Sequence, residues 1–198
     1  MILDEPLLVT LKVGAVLDGL GIPWVIGGSL ASSIHGLPRS TQDVDLVAAM
    51  SQEHVAPFIE AMEPEFYVSE AAMLDALRAR GSFNVIHQDT AMKVDLFMVR
   101  ADPLSRAQLT RRRFTTLAGA EGAAVPVLSP EDIILQKLLW FQRGQRVSER
   151  QWRDVLGVLK VQGDLLDLEY LTAAADMSEL RALLDDALAQ ARAEPSGA

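Results

Sequence analysis

Two stretches decide the fold of this chain: Trp24-Val25-Ile26-Gly27-Gly28-Ser29 and, after residues 30–42, Asp43-Val44-Asp45-Leu46. The first begins with an apolar run and ends in paired glycines. This pattern is typical of a buried strand followed by a tight turn, because glycine tolerates backbone conformations that other residues avoid. Ser29 is a suitable N-cap for a helix after the turn. A helix N-terminus presents unpaired N–H groups, so the turn is a candidate cradle for a phosphate.

The second stretch predicts a strand that carries two acidic residues on one face. Side chains two positions apart on a strand point the same way, so we expect Asp43 and Asp45 to project together. Adjacent carboxylates repel each other unless a cation lies between them, and Mg²⁺ prefers oxygen ligands. A solvated pair of acids at a strand edge remains the alternative interpretation of these two residues taken alone.

A third acidic residue, Asp95, has apolar neighbours on both sides in the same way as Asp45. Its predicted strand could lie beside the strand of Asp45, which would bring three carboxylates together. Three such groups facing one cleft can hold two divalent ions about 3.5–4 Å apart. Otherwise Asp95 is a strand-edge residue, or it pairs with a cation elsewhere in the chain: Lys93, Arg100 or Arg39.

The composition limits the classes of protein to which the chain can belong. Its 198 residues are 49% hydrophobic and 23% charged, as expected for a globular protein with one sizeable core. The net charge of −9 argues against a general nucleic-acid-coating protein, although basic residues are concentrated between Arg100 and Arg153. The absence of cysteine excludes disulfides, thiolate metal sites and thiol nucleophiles. The first residues lack the basic start of a signal peptide, so we expect a cytoplasmic protein with no membrane partner.

The order of helix and strand signals predicts an α+β fold. We expect a mixed β-sheet core with flanking helices over residues 1–128, and a C-terminal helical bundle over residues 129–193. The bundle begins at Ser129-Pro130-Glu131-Asp132, an N-cap followed by proline and acids in the first helical turn. Residues 194–198 are expected to be a disordered tail.

The glycine turn and the three acids resemble the signature of the DNA-polymerase-beta-like nucleotidyltransferase superfamily, over about residues 22–100. The resemblance implies transfer of a nucleoside monophosphate from an NTP to a hydroxyl group, with release of pyrophosphate. It implies that Gly27-Gly28-Ser29 holds the triphosphate. It also implies that Asp43 and Asp45 bind both metals, Mg²⁺ or Mn²⁺, and that Asp95 completes one metal site and helps to deprotonate the acceptor.

The second half of the chain is similar to the helical part of bacterial abortive-infection-type nucleotidyltransferase-like toxins. The similarity lies in residues 129–132 with Lys137, and in the later segment that ends at Asp154. It implies that Lys137 neutralises the triphosphate and that Asp154 orients Lys137 or the acceptor. An exposed helix face is the alternative for both residues. Arg39 either reaches a phosphate or pairs with one of the acids.

The sequence therefore predicts a metal-dependent nucleotidyltransferase, with a toxin role and a neighbouring antitoxin implied by resemblance alone. RNA or tRNA, a protein hydroxyl and a small molecule remain open as acceptors. The alternative is a catalytically silent nucleotide-binding regulatory module of the same fold. A metal-dependent phosphohydrolase would use similar acids and should show histidine ligands near them, for which His35 and His87 are the only candidates.

Overall fold

The computed structural model describes residues 5–39, 43–116 and 124–193, and these form two compact units. The first unit contains residues 5–27, 43–116 and 124–127. The second contains residues 28–39 and 128–193. The chain passes from one unit to the other between Gly27 and Gly28, so the helix after the glycine turn is grouped with the C-terminal helices. The predicted tail, residues 194–198, lies outside the described residues.

Within its described residues, the first unit is built on a mixed sheet of seven strands. In chain order the strands are β1 (Trp24–Ile26), β2 (Val44–Ala48), β3 (Phe66–Val68), β4 (Ser82–His87), β5 (Lys93–Met98), β6 (Arg113–Thr116) and β7 (Ala124–Val127). In space their order is β3-β4-β5-β2-β1-β7-β6. The α-helices of this unit are α1 (Glu5–Gly19), α3 (Val55–Met62), α4 (Glu70–Ala79) and α5 (Pro103–Thr110). The predicted α+β class is confirmed.

Strand pairing in the sheet is partly parallel and partly antiparallel. β2 runs antiparallel to β1 and parallel to β5, while β4 runs antiparallel to both β3 and β5. β7 pairs with β1 in parallel and with β6 in antiparallel orientation. β4 and β5 therefore form a hairpin. The strands that carry Asp45 and Asp95, β2 and β5, are neighbours in the sheet, as the sequence suggested.

The hydrophobic core explains why β5 and β2 present their acids on the same face. On β5 the buried and half-buried residues alternate strictly, with Val94 and Leu96 buried. The register pairs these two residues with Val44 and Leu46, which are also buried. Because alternate residues of a strand point to opposite faces, the residues between them share the other face.

The second unit is formed by α2 (Gly28–His35), α6 (Pro130–Arg143), α7 (Glu149–Gln162), α8 (Leu168–Met177) and α9 (Arg181–Ala193). The predicted start of α6 is confirmed, since the Ser129 side chain accepts a hydrogen bond from the backbone N–H of Asp132, and Pro130 follows the cap. α2 packs against both α6 and α7. The imidazole Nε2 of His35, at the end of α2, lies 2.6 Å from the carbonyl oxygen of Leu128.

A glycine allows α7 to approach the end of α2 closely. A Cβ added to Gly36 would lie 2.8 Å from the backbone nitrogen of Val158 and 2.9 Å from the carbonyl carbon of Gly157. These separations are too short for any side chain. In the described part of the chain, every helix is too short or too polar to cross a membrane.

Candidate active site

The acidic residues of the first unit meet where β2 and β5 run side by side. Asp45 and Asp95 are direct partners in the register of these parallel strands. Both are half-buried, while Val44 and Val94 next to them are fully buried. Paired positions on neighbouring strands face the same way, so the two carboxylates lie on one face of the sheet. Asp43 is exposed and immediately precedes β2.

A lysine neutralises part of this acidic group. The ammonium nitrogen of Lys93 lies 2.8 Å from Oδ2 of Asp95, two positions along β5. The pKa of Lys93 is raised above its ordinary value of 10.5. The hydrogen bond to Asp95 is the largest cause of the raised pKa, and burial acts in the opposite direction. The negative charges of Asp95, Asp43 and Asp45 raise the pKa of Lys93 further. All three predicted acids therefore act on one cation.

The carboxylates suit a divalent cation in their chemistry, and in this structure one of them, that of Asp95, is paired with Lys93. Carboxylate oxygens are the ligands that Mg²⁺ and Mn²⁺ prefer, and Asp95 already binds a cation, the Lys93 ammonium group. Within residues 5–39, 43–116 and 124–193, no three His, Asp or Glu side chains are grouped closely enough to hold a metal ion as they stand.

Both glycines of the turn donate a backbone hydrogen bond, each to a residue of its own unit. In the first unit, the Gly27 N–H donates to the carbonyl oxygen of Asp45 over 2.9 Å, which fixes the turn to β2. In the second unit, the Gly28 N–H donates to Oε1 of Gln136 over 3.1 Å. Gly28 has a φ of 54°, a left-handed conformation that favours glycine. Gln136 was not identified from the sequence, because no local pattern links it to Gly28.

The second unit brings together four of the predicted site residues: Ser29, Arg39, Lys137 and Asp154. Arg39 donates from Nε to Oδ1 of Asp154 over 2.8 Å and from Nη2 to Oδ2 over 3.0 Å. Its Nη2 also donates to the hydroxyl of Ser29. The Lys137 ammonium nitrogen lies 2.8 Å from Oδ2 of the same Asp154. One carboxylate therefore holds two cations, and we call Arg39, Lys137 and Asp154 the basic triad.

The members of the basic triad differ in burial, and their charges keep Asp154 ionised. The side chains of Lys137 and Asp154 are 2% and 6% exposed, whereas that of Arg39 is 27% exposed. Burial by itself would raise the pKa of Asp154. The hydrogen bonds and charges of Arg39 and Lys137 outweigh it, and the pKa is held below its ordinary value of 3.8. With Asp154 ionised, the triad carries one net positive charge and suits an anionic ligand.

The chain matches one protein family over most of its length. The family model described as "Nucleotidyl transferase AbiEii toxin, Type IV TA system" matches residues 11–196. The chain belongs to the AbiEii nucleotidyl transferase toxin family. The resemblance inferred from the glycine turn, the acids and residues 129–154 is thereby confirmed. No curated protein matches this AbiEii-family chain in sequence.

Solved structures show that the AbiEii-family chain shares the nucleotidyltransferase fold. An antigenic nucleotidyltransferase-like protein from Paracoccidioides brasiliensis is 20% identical, with a TM-score of 0.51 and 90% of each chain covered. ANT(2")-Ia in complex with adenylyl-2"-tobramycin is 16% identical, with a TM-score of 0.53 and coverage of 89% of this chain and 99% of that one. The lincomycin-bound lincosamide antibiotic adenylyltransferase LnuA is 11% identical, with a TM-score of 0.51 and coverage of 81% and 98%.

Proposed function

We propose that this chain transfers a nucleoside monophosphate from an NTP to a hydroxyl acceptor, with Mg²⁺ or Mn²⁺ as the metal. The observation that carries the proposal is the pairing of Asp45 with Asp95 on adjacent parallel strands. Membership of a family of nucleotidyl transferase toxins supports the same activity. In the reaction, an oxygen of the acceptor forms a bond to the α-phosphorus, the bond from that phosphorus to the bridging oxygen breaks, and pyrophosphate leaves.

We assign metal binding to Asp43, Asp45 and Asp95. Bound divalent ions would supply positive charge to the phosphate oxygens and make the acceptor hydroxyl more acidic. Asp45 and Asp95 are well suited to the task because the sheet fixes their separation. β2 and β5 are central strands with buried flanking residues, so the backbone that carries each carboxylate cannot move without disturbing the core. Asp95 is also the group we assign to receive the proton of the acceptor hydroxyl.

We assign triphosphate binding to the glycine turn, Gly27-Gly28-Ser29, and to the basic triad. Arg39 is the most exposed member of the triad, so its guanidinium is the group best able to contact a phosphate directly. Lys137 is nearly fully buried and contributes positive charge to the basic triad. Asp154 is a positioning residue, since it holds Arg39 by two bonds and Lys137 by one.

Label transfer tests the proposed reaction. The wild-type protein is incubated with each α-phosphate-labelled NTP, Mg²⁺ or Mn²⁺, and three acceptor pools: total RNA, cell protein, and small hydroxyl compounds that include antibiotics. We expect label in one pool. Asp45→Asn should reduce transfer by about 100-fold or more, the scale for losing an electrostatic contact to the reacting phosphate. Asp89→Asn is the matched control, because Asp89 is an exposed acid in the β4–β5 turn.

The outcomes separate the proposed enzyme from the silent binding module. Transfer that Asp45→Asn abolishes and Asp89→Asn preserves supports the enzyme. Nucleotide binding without transfer to any pool would overturn it in favour of a regulatory module. The pool that becomes labelled identifies the class of acceptor.

We further propose that the transfer reaction is the basis of a toxin role, with a cognate antitoxin as partner. The family description names a toxin of a type IV toxin–antitoxin system. Expression of the wild-type chain should arrest growth of a bacterial host, and Asp45→Asn should relieve the arrest at equal protein level. Arrest by the Asp45→Asn protein at that level would separate toxicity from catalysis.

A further inference from the structure

The contact between Lys93 and Asp95 has no assigned role in the proposed reaction. Lys93 and Asp95 are two positions apart on β5, so their side chains share a face. The register pair Val44 and Val94 is immediately preceded by Asp43 and Lys93, which places the lysine at the level of Asp43. The ammonium group therefore lies at the place where the three acids concentrate negative charge.

We propose that Lys93 is a tethered counter-cation, which occupies the acidic group in the metal-free protein and must leave Asp95 before a divalent ion binds there. This inference rests on the assignment of Asp43, Asp45 and Asp95 to metal binding. A positive charge bonded to a ligand oxygen opposes a second positive charge at the same oxygen. The lysine thus raises the metal concentration that is needed to assemble the site.

The structure allows the lysine to leave. The Lys93 side chain is 41% exposed, so the ammonium group can swing into solvent on its flexible stem without unfolding β5. Its release breaks one partly exposed ion pair. The free energy lost is small, and the binding of a doubly charged ion can compensate for it. Without metal, the same contact reduces the mutual repulsion of the three carboxylates. Lys93 therefore stabilises the metal-free protein and lowers its affinity for the metal ion.

Mn²⁺ binding, measured by the loss of the free Mn²⁺ electron paramagnetic resonance signal, tests the inference without any need for turnover. Lys93→Met removes the charge and keeps the length of the side chain. We expect Lys93→Met to bind Mn²⁺ about three- to fivefold more tightly than wild type, the upper range for one exposed ion pair. Lys93→Arg keeps the charge and should bind like wild type. The ratio between Lys93→Met and wild type should approach one as KCl is raised to about 0.5 M, because salt screens exposed charges.

Lys12→Met is the matched control for net charge. Lys12 also forms a lysine–carboxylate pair in the first unit, with Glu65, and its exposure of 42% matches that of Lys93. It should leave the Mn²⁺ affinity unchanged. An equal gain in Lys12→Met and Lys93→Met would show an effect of overall charge and overturn the inference.

Asp45→Asn distinguishes failure of this inference from failure of the proposed function. If binding depends on Asp45 and Lys93→Met changes the affinity by less than about twofold, the lysine does not compete and the inference is wrong. If Asp45→Asn leaves Mn²⁺ binding unaltered in wild type and in Lys93→Met, the assigned metal site is wrong, and the inference falls with it. A melting temperature that falls in metal-free Lys93→Met and recovers with Mn²⁺ would support the inference further.

Discussion

Arg39 and Asp154 form a two-point ion pair although 115 positions of the chain separate them. The carboxylate of Asp154 also binds the nearly fully buried Lys137. A carboxylate that is buried beside two cations is stabilised in its ionised form, and the two cations are stabilised with it.

Asp154→Asn should destabilise the protein by roughly 3 kcal/mol, the lower end for breaking a buried ion pair, because Arg39 is partly exposed. The substitution removes the negative charge that balances both cations while keeping the size of the side chain. Urea unfolding measures the change in the free energy of unfolding. Asp164→Asn is the control, since Asp164 is exposed, and it should lie within about 0.5 kcal/mol of wild type.

The stabilisation by Asp154 should disappear in acid. Its pKa in the folded protein lies below the ordinary value of 3.8, so the unfolded chain takes up this proton more readily than the folded one. The contribution is fully present above pH 3.8 and is lost as the pH falls through the lower, folded-state pKa. The difference in unfolding free energy between wild type and Asp154→Asn should therefore be constant near neutral pH and should narrow in the acid range. A difference that stays constant into strong acid would show that Asp154 is not stabilised as an anion.

Arg39→Lys should weaken NTP binding. The planar guanidinium bonds Asp154 at two points and Ser29 at a third, and a lysine cannot reproduce this geometry. We expect a rise in the NTP dissociation constant of about tenfold, the equivalent of roughly 1.4 kcal/mol. Titration calorimetry with a non-hydrolysable NTP measures it. Arg78→Lys, which alters an exposed ion pair on α4, should leave NTP binding unchanged.

Gly36→Ala should destabilise the second unit by about 2 kcal/mol, as expected for overpacking. The added Cβ would meet backbone atoms of α7 at 2.8 to 2.9 Å, and the backbone cannot move aside as a side chain could. Gly81→Ala is the control, because a Cβ there meets nothing within 4 Å. Thermal unfolding of the two variants should separate them clearly, and equal melting temperatures would mean that α7 adjusts at little cost.

Tyr170→Phe should cost about 2 kcal/mol of stability. The Tyr170 hydroxyl donates to Oδ1 of Asp132 over 2.6 Å, and Asp132 is fully buried at the start of α6. Removing the donor from a buried acceptor costs about 1–3 kcal/mol. Tyr67→Phe removes a hydroxyl from a tyrosine that is 60% exposed, and it should be neutral in the same urea titration. A neutral Tyr170→Phe would show that other contacts of Asp132 suffice.

The sequence by itself determined the features that depend on neighbouring residues. The N-cap at Ser129 follows from capping chemistry, and the alternation of buried and half-buried residues along β5 follows from the two-residue period of a strand. Both effects act over a few positions. The glycine turn and the acids, together with residues 129–154, were likewise enough to indicate the family by resemblance.

Only the tertiary structure decided which cation pairs with Asp95 and which acid pairs with Arg39. The sequence left Lys93, Arg100 and Arg39 open as partners of Asp95. In the structure Asp95 pairs with Lys93, and Arg39 pairs with Asp154. The fold also brought the Gln136 side chain to the backbone N–H of Gly28. Some of these contacts join residues that are distant in the chain. In others, a residue has several possible partners that local sequence does not distinguish. Their choice is made by the packing of strands and helices, which brings some side chains within bonding distance and separates the others.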